Sequence, residues 1–194
     1  ATLEEVLKSP YLEAFKDKDI EVLVFLDEID DFVFTGFEFK GKRLKSVSKG
    51  DINLDKAEED EKKDTQKKYK KLLDLVKDIL KDDVKDVRFS GRLTDSVCCL
   101  VAEEGDMDPQ MEKLLKAMGQ DVPQRKRVLE INPSHPLFAA MNTIFENDKN
   151  SPHLEDYTRL LYDQALLLEG SKPKDPAAFA KVLARLMVEN AEKY

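Results

Sequence analysis

The feature that most constrains this chain is the run DKAEEDEKKDTQKKYKK at residues 55–71, which is nearly all charge and continues without a break into apolar residues at helical spacing. Tyr69, Leu72, Leu73, Val76 and Ile79 recur at intervals of three and four. One helix is therefore predicted, with its first turns in water and one face of its last turns in a core. Acidic residues gather toward the start of the run and basic ones toward its end, the order that complements a helix dipole. A helix solvated on all sides cannot lie inside a core, so the run divides the chain into a first unit, residues 1–54, and a second, residues 72–194. Lys67, Lys68, Lys70 and Lys71 are dense enough for a nucleic-acid patch, but they lie beside an equally dense acidic run and read as a solvated face.

In the first unit, IEVLVFL at residues 20–26 carries a single charge, which predicts a strand buried on both faces of a partly parallel sheet. Leu3, Val6 and Leu7 predict a covering helix before it. IDDFVFTGFEF then reads as a short helix or turn, and GKRLKSVSKG as another strand, with Gly41 and Gly50 as punctuation. One helix and two strands leave sheet edges and faces uncovered, so this unit reads as a piece of a larger α/β domain.

The second unit predicts strands in VKDVRFS, VCCLVAEE and RKRVLEIN, and a short helix in HPLFAAMNTIF. Asp108-Pro109, Ser151-Pro152 and Asp175-Pro176 each put a capping side chain before a proline whose missing N–H is harmless in the first helical turn. Gly119 and Gly170 stand where C-terminal caps belong. The fold class is α+β, a small sheet with helices.

Composition narrows the chemistry. With 40 acidic and 32 basic side chains the net charge is -8, which repels nucleic acid and anionic membrane surfaces. No apolar run approaches the roughly 20 residues that span a bilayer, and the opening ATLEEVLKSP has no signal-peptide pattern, so a soluble, cytoplasmic chain with protein partners is expected. No phosphate-cradling glycine loop is present, and no acid, base or nucleophile constellation stands out. His135 and His153 lack a second ligand at metal-binding spacing and read as caps or packing groups. Cys98 and Cys99 are adjacent, so on a strand they point to opposite faces; at least one is a small core residue, and an inert role for both outweighs oxidation of the other. No catalytic residue and no metal site is expected.

Two apolar surfaces remain. In LEDYTRLLYDQALLLEG, Leu154, Tyr157, Leu161, Ala165 and Leu168 form one stripe, with Leu160 and Leu167 in a second; in DPAAFAKVLARLMVEN, Phe179, Val182, Leu183, Leu186 and Met187 form a broad face. Helices apolar over so much of their circumference need cover on two sides, supplied either by the chain's own core or by a second copy in a four-helix bundle. The second surface is the predicted helix at residues 107–118, where Met107, Met111, Leu114, Leu115 and Met118 share one side. Methionine packs adaptably against unlike partners, so this is either a permissive docking face or an ordinary core helix.

KDIEVLVFLDEIDDFVF, GKRLKSVSKG, VKDVRFSGRLTDS, RVLEINPSHPL and LLYDQALLLEG, in this order, resemble segments of the ninety-kilodalton heat-shock chaperones. The likeness covers nearly the whole chain and is loosest at residues 55–71. It implies that residues 1–54 are the C-terminal α/β subdomain of a chaperone middle domain, 55–71 a charged linker helix and 72–194 the C-terminal dimerisation domain, whose last two helices form an intersubunit four-helix bundle. The function so implied is homodimerisation and binding of non-native client proteins; the alternative is a purely structural dimeriser with no client contacts of its own. Dimer contacts then map to Tyr157, Leu160, Leu161, Leu168, Val182, Leu183, Leu186 and Met187. Client contacts map to Asp31, Phe32 and Thr35 in the first unit and to Met107, Met111, Leu114 and Leu115 in the second. ATP and Mg belong to a nucleotide domain of the full-length family, with its catalytic arginine; this chain is expected to hold neither and to be no enzyme. Phe32 stands where bacterial relatives often have tryptophan, and the final ENAEKY is neither an acidic docking tail nor a retention signal, which fits a bacterial cytoplasmic origin.

Overall fold

A computed structural model describes residues 2–27, 29–34, 36–52, 54, 59–106, 115, 118, 119 and 125–193, without the side chains at 31, 32, 59–63 and 66. Helices and small sheets are mixed, as the α+β reading expects. The first unit holds α1 (Leu3–Leu7), a 3-10 turn at Pro10–Leu12, α2 (Glu13–Asp17), α3 (Asp30–Val33) and a two-stranded hairpin of β1 (Glu38–Phe39) and β2 (Lys42–Arg43). Thr2 opens α1 with a capping box: its hydroxyl accepts from Glu5 N, and the Glu5 carboxylate accepts from Thr2 N at 2.7 Å. Gly41 closes the hairpin at φ 72°, a left-handed conformation that a Cβ would strain.

The expected strand at residues 20–26 is not formed. The segment joins no ladder among the described residues, and Ile20, Leu23, Phe25 and Leu26 are exposed. A strand apolar on both faces needs a neighbour on each edge and a layer on each side, and the described residues supply none of these. In GKRLKSVSKG, likewise, only Lys42 and Arg43 are strand, with Lys49 making an isolated parallel bridge to Ala102.

The charged run becomes α4 (Glu59–Ile79), and its apolar face is buried from Tyr69 onward through Leu72 and Val76, with Leu80 just beyond. The second unit continues through β3 (Asp86–Phe89), β4 (Cys98–Val101), β5 (Val128–Ile131), α5 (Pro136–Asn147), α6 (Pro152–Leu168) and α7 (Pro176–Ala191). Strand order in its sheet is β3-β5-β4, with β5 parallel to β3 and antiparallel to β4. Two strands adjacent in sequence are thus kept apart by a third that arrives later.

Strand alternation gives the sheet two unlike faces. Val87, Cys98, Leu100, Leu129 and Ile131 join Leu72, Val76 and Leu80 of the α4 region, Phe138 and Met141 of α5, and Leu154, Leu161 and Ala165 of α6 in one core. On the opposite face Cys99, Val101 and Val128 meet Leu93 and Tyr11, and Arg88 and Glu130 sit in register on neighbouring strands. Residues 9–17 and 46–50 of the first unit cover that second face. Tyr11 Oη donates to Leu100 O, Ala14 N donates to Arg92 O at 3.1 Å, and Gly50 N donates to Ala102 O at 2.9 Å.

Candidate functional site

The paired terminal helices owe their ends to local sequence. Asp175 caps α7, its Oδ1 accepting from Ala177 N at 3.1 Å and Ala178 N at 3.0 Å, with Pro176 in the first turn. Ser151 occupies the cap position of α6, but its hydroxyl makes no capping bond there; Pro152 and the Glu155–Arg159 pair, at 3.0 Å, support the first turns instead. At the other end Gly170, at φ 77°, lets Ser171 N donate back to Leu166 O at 2.8 Å. The Asp108-Pro109 cap lies outside the described residues.

α6 lies on β4, and Cys98 Sγ donates to Leu161 O at 3.2 Å where they meet. α7 packs on the outer side of α6, tied by the Arg185–Asp156 ion pair, and His153 Nδ1 stands 3.9 Å from Glu189 Oε2 without a hydrogen bond. No residue of α7 is buried. Leu183 is 42%, Met187 65% and Val188 55% exposed, and Leu167 and Leu168 at the end of α6 are exposed as well. Phe179, Val182, Leu186, Tyr157 and Leu160 are half-buried.

Seven of the eight residues expected at a dimer contact therefore remain at least partly accessible in one copy. Leu161 is the correction. It is 1% exposed and sits in the chain's own core against β4, because the α6 stripe turns inward at Leu154, Leu161 and Ala165 and outward by Leu168. Val188 was missed by the sequence reading, although its place next to Met187 on the helix continued the signal.

Of the expected client contacts, Thr35, Met107, Met111 and Leu114 lie outside the described residues. Leu115 is half-buried, and Met118 near it is exposed. Asp31 and Phe32 fall in α3, where backbone alone is described. Around that helix Phe34 stacks on Phe25 at 4.1 Å between ring centroids and meets Phe37 edge-on at 5.5 Å, and Ile29 and Val33 are exposed. Phe25, Ile29, Val33 and Phe37 thus leave apolar side chains exposed around α3.

Sequence reasoning also missed a buried ionic network on the second sheet face. Glu130 and Arg92 are both 0% exposed. Glu130 Oε2 accepts from Arg92 Nε and from Ser90 Oγ, each at 2.8 Å; Oε1 accepts from Arg88 Nη2 at 2.7 Å and from Arg92 Nη2 at 3.1 Å. The guanidiniums also reach the first unit: Arg88 Nη2 donates to Gly50 O at 2.7 Å, and Arg92 donates to Val47 O and Gly50 O. A lone carboxylate inside the strand VLEI was the available signal, since a charge there needs a buried partner.

Burial alone pushes the Cys98 thiol up to about 12. Cys99 is also raised well above the usual thiol range, by burial first and then by the Glu130 charge. Both cysteines are core residues on opposite sheet faces. His135 caps α5, its Nδ1 accepting from Leu137 N at 3.1 Å. Among the described residues no three His, Cys, Asp or Glu side chains gather to hold a metal ion, and no helix is long and apolar enough to cross a membrane.

A family model described as Hsp90 protein matches residues 1–193. The chaperone protein HtpG of Geobacter metallireducens is 48% identical over 193 residues, covering 95% of this chain and 29% of that protein. HtpG of Geobacter sulfurreducens is 46% identical, covering 99% of this chain and 30% of its own length, and HtpG of Mycobacterium avium is 43% identical, covering 94% and 29%. The chain spans about three tenths of the length of these curated relatives. On a match that runs along nearly every residue, the chain belongs to the Hsp90 family of chaperones, in its bacterial HtpG type.

Proposed function

We propose that this chain is the homodimerisation and client-binding module of an ATP-dependent cytoplasmic chaperone, with residues 1–54 as the end of a middle domain, 55–71 as a linker helix and 72–194 as the dimerisation domain. ATP, Mg and the catalytic arginine belong to other parts of the full-length protein, so the chain alone turns over no nucleotide and binds neither nucleic acid nor membrane. The observation that carries the reading is the α7 helix, which buries no residue in one copy and leaves Leu183, Met187 and Val188 exposed, with Leu167 and Leu168 exposed at the far end of α6. Large apolar side chains left exposed along a helix that buries none of its residues support an interaction surface. Two α6–α7 pairs related by a two-fold axis would cover it as a four-helix bundle.

Sedimentation across concentration tests this. The unaltered chain should sediment as a dimer, and Leu183→Asp with Met187→Asp as a monomer of unchanged helicity, because a carboxylate in an apolar seam has no partner. An unaltered chain that stays monomeric when concentrated defeats the reading. For clients, exposed Met118 and the apolar surface around α3 support contacts at the expected sites. Leu114→Asn with Leu115→Asn should weaken capture of a partly unfolded protein and leave the dimer intact. Partial cover of Leu115 favours the second reading, a structural dimeriser, and undiminished capture by that variant would select it.

A further inference from the structure

Five successive backbone amides at residues 92–96 find acceptors outside any helix or strand. The Ser90 hydroxyl accepts from Arg92 N at 3.1 Å and Leu93 N at 3.2 Å. The next three turn to Glu13: its Oε2 accepts from Thr94 N at 2.9 Å, Asp95 N at 2.9 Å and Ser96 N at 3.0 Å, and its Oε1 from Ser96 N at 3.2 Å. Successive amides aimed at one point make a concavity for an anion. The anion here is a carboxylate from a segment 81 residues earlier in sequence.

We propose that the amides of Thr94, Asp95 and Ser96 form a carboxylate receptor filled by Glu13 of the same chain, and that this contact is a releasable latch holding residues 10–17 on the edge of the second sheet. Glu13 opens α2, and the docking it anchors includes Tyr11 Oη on Leu100 O and Ala14 N on Arg92 O. On its far side the same loop is fastened to the sheet, with Ser90 Oγ on Glu130 and Asn132 Nδ2 donating to Ser96 O at 3.2 Å. The loop therefore touches both units through polar groups.

What makes this contact releasable is exposure. Thr94 and Asp95 are exposed and Ser96 is half-buried, so water can take over the first two amides when Glu13 leaves, and none of the three residues is fully buried. The Arg92–Glu130 pair has no such exit, being fully enclosed. Among the described residues, titratable groups near Glu13 include Asp95 of the loop itself and Cys99 of β4, which senses the Glu13 charge. Glutamine would be a poor replacement, because its amide NH2 would face other N–H donors.

Amide hydrogen exchange followed by NMR tests the latch on the whole chain, with Glu13→Gln and Glu13→Ala beside the unaltered protein. The amides of Thr94, Asp95 and Ser96 should exchange about tenfold faster or more in both variants, the loss expected for charge-assisted bonds, while Leu100 and Leu129 stay unchanged. Sodium acetate, compared with sodium chloride at matched ionic strength, should slow exchange at those three amides in Glu13→Ala by supplying the missing carboxylate. Unchanged exchange in Glu13→Gln overturns the proposal, and that variant keeps the side-chain volume should alanine fail to fold. Faster exchange in a folded Glu13→Ala that acetate does not slow also overturns it, because packing and not a carboxylate would then be holding the loop.

Discussion

Replacing Glu130 by glutamine removes one negative charge from an enclosed point of the molecule and leaves the side chain's volume intact. Three side chains donate to that carboxylate, those of Arg88, Arg92 and Ser90, and Arg92 is as inaccessible as Glu130 itself. Glutamine keeps one acceptor oxygen and turns an NH2 toward a guanidinium. Breaking one partner of a buried pair costs about 3–5 kcal/mol, since it strands the other charge. Here the lower end applies, because Arg92 keeps the carbonyls of Val47 and Gly50 and Arg88 reaches solvent. With a urea slope of roughly 2 kcal/mol/M, a loss of about 3 kcal/mol moves the unfolding midpoint down by about 1.5 M. Urea titration followed by far-UV circular dichroism reads this directly. Replacing the pair together, Arg92→Met with Glu130→Leu, should recover part of the loss, yet amide exchange at Gly50 should quicken because Val47 O loses its guanidinium donor and Gly50 O keeps only that of Arg88. A midpoint shift below about 0.3 M in Glu130→Gln would mean that the network contributes little and that water reaches Arg92 on demand.

Leu161→Asp should unfold the second unit while Met187→Asp leaves it folded and changes only association, a contrast that circular dichroism and sedimentation together resolve. Val76→Ala, at a position 0% exposed between α4 and the sheet, should cost about 2–4 kcal/mol in urea unfolding through the cavity it leaves. A thiol reagent at neutral pH should label neither Cys98 nor Cys99 until urea unfolds the chain, because burial holds both thiols protonated; labelling of the folded chain would contradict that. Burial would raise the Glu13 carboxyl, but hydrogen bonds from Ser96, Asp95 and Thr94 outweigh it and hold the group below its ordinary 4.5. Its stabilisation is thus complete above that value and lost as pH falls through the folded one, so Glu13→Gln should flatten the acid limb of the stability curve, leaving the parallel effect of Asp86, likewise lowered.

Much of the second unit was legible because its signals are local. The α4 face from Tyr69 to Val76, the windows of β3, β4 and β5, the Asp175 cap and the opposite aim of the two cysteines each depend on residues within a turn or two of one another. What failed depends on distance. The strand expected at residues 20–26 was read from its apolar content, which states what such a segment needs around it and not whether neighbours are there. Glu130 meets its guanidinium partners 42 and 38 residues away, and Glu13 reaches amides 81 to 83 residues on, so no sequence window holds either contact. Spacing along α6 likewise recorded an apolar stripe without saying that Leu161 faces β4 and Leu168 faces out.

The two faces of the small sheet differ in what their separation would cost. Pulling α4, α5 or α6 from theirs exposes a continuous apolar core, at roughly 25 cal/mol for each Å² uncovered, with nothing to offset it. The opposite face carries, beside the small apolar cluster of Cys99, Val101, Val128 and Leu93, guanidiniums, a carboxylate and backbone carbonyls that water can solvate again, and residues 9–17 and 46–50 rest there. The helices that carry the exposed apolar surface are therefore bound to the more apolar side of the sheet, through Leu161 and Cys98, while the first unit is bound to the side with the ionic network. Of the contacts that hold the first unit there, the Glu13 carboxylate on the loop of residues 90–97 is one whose release strands no buried charge.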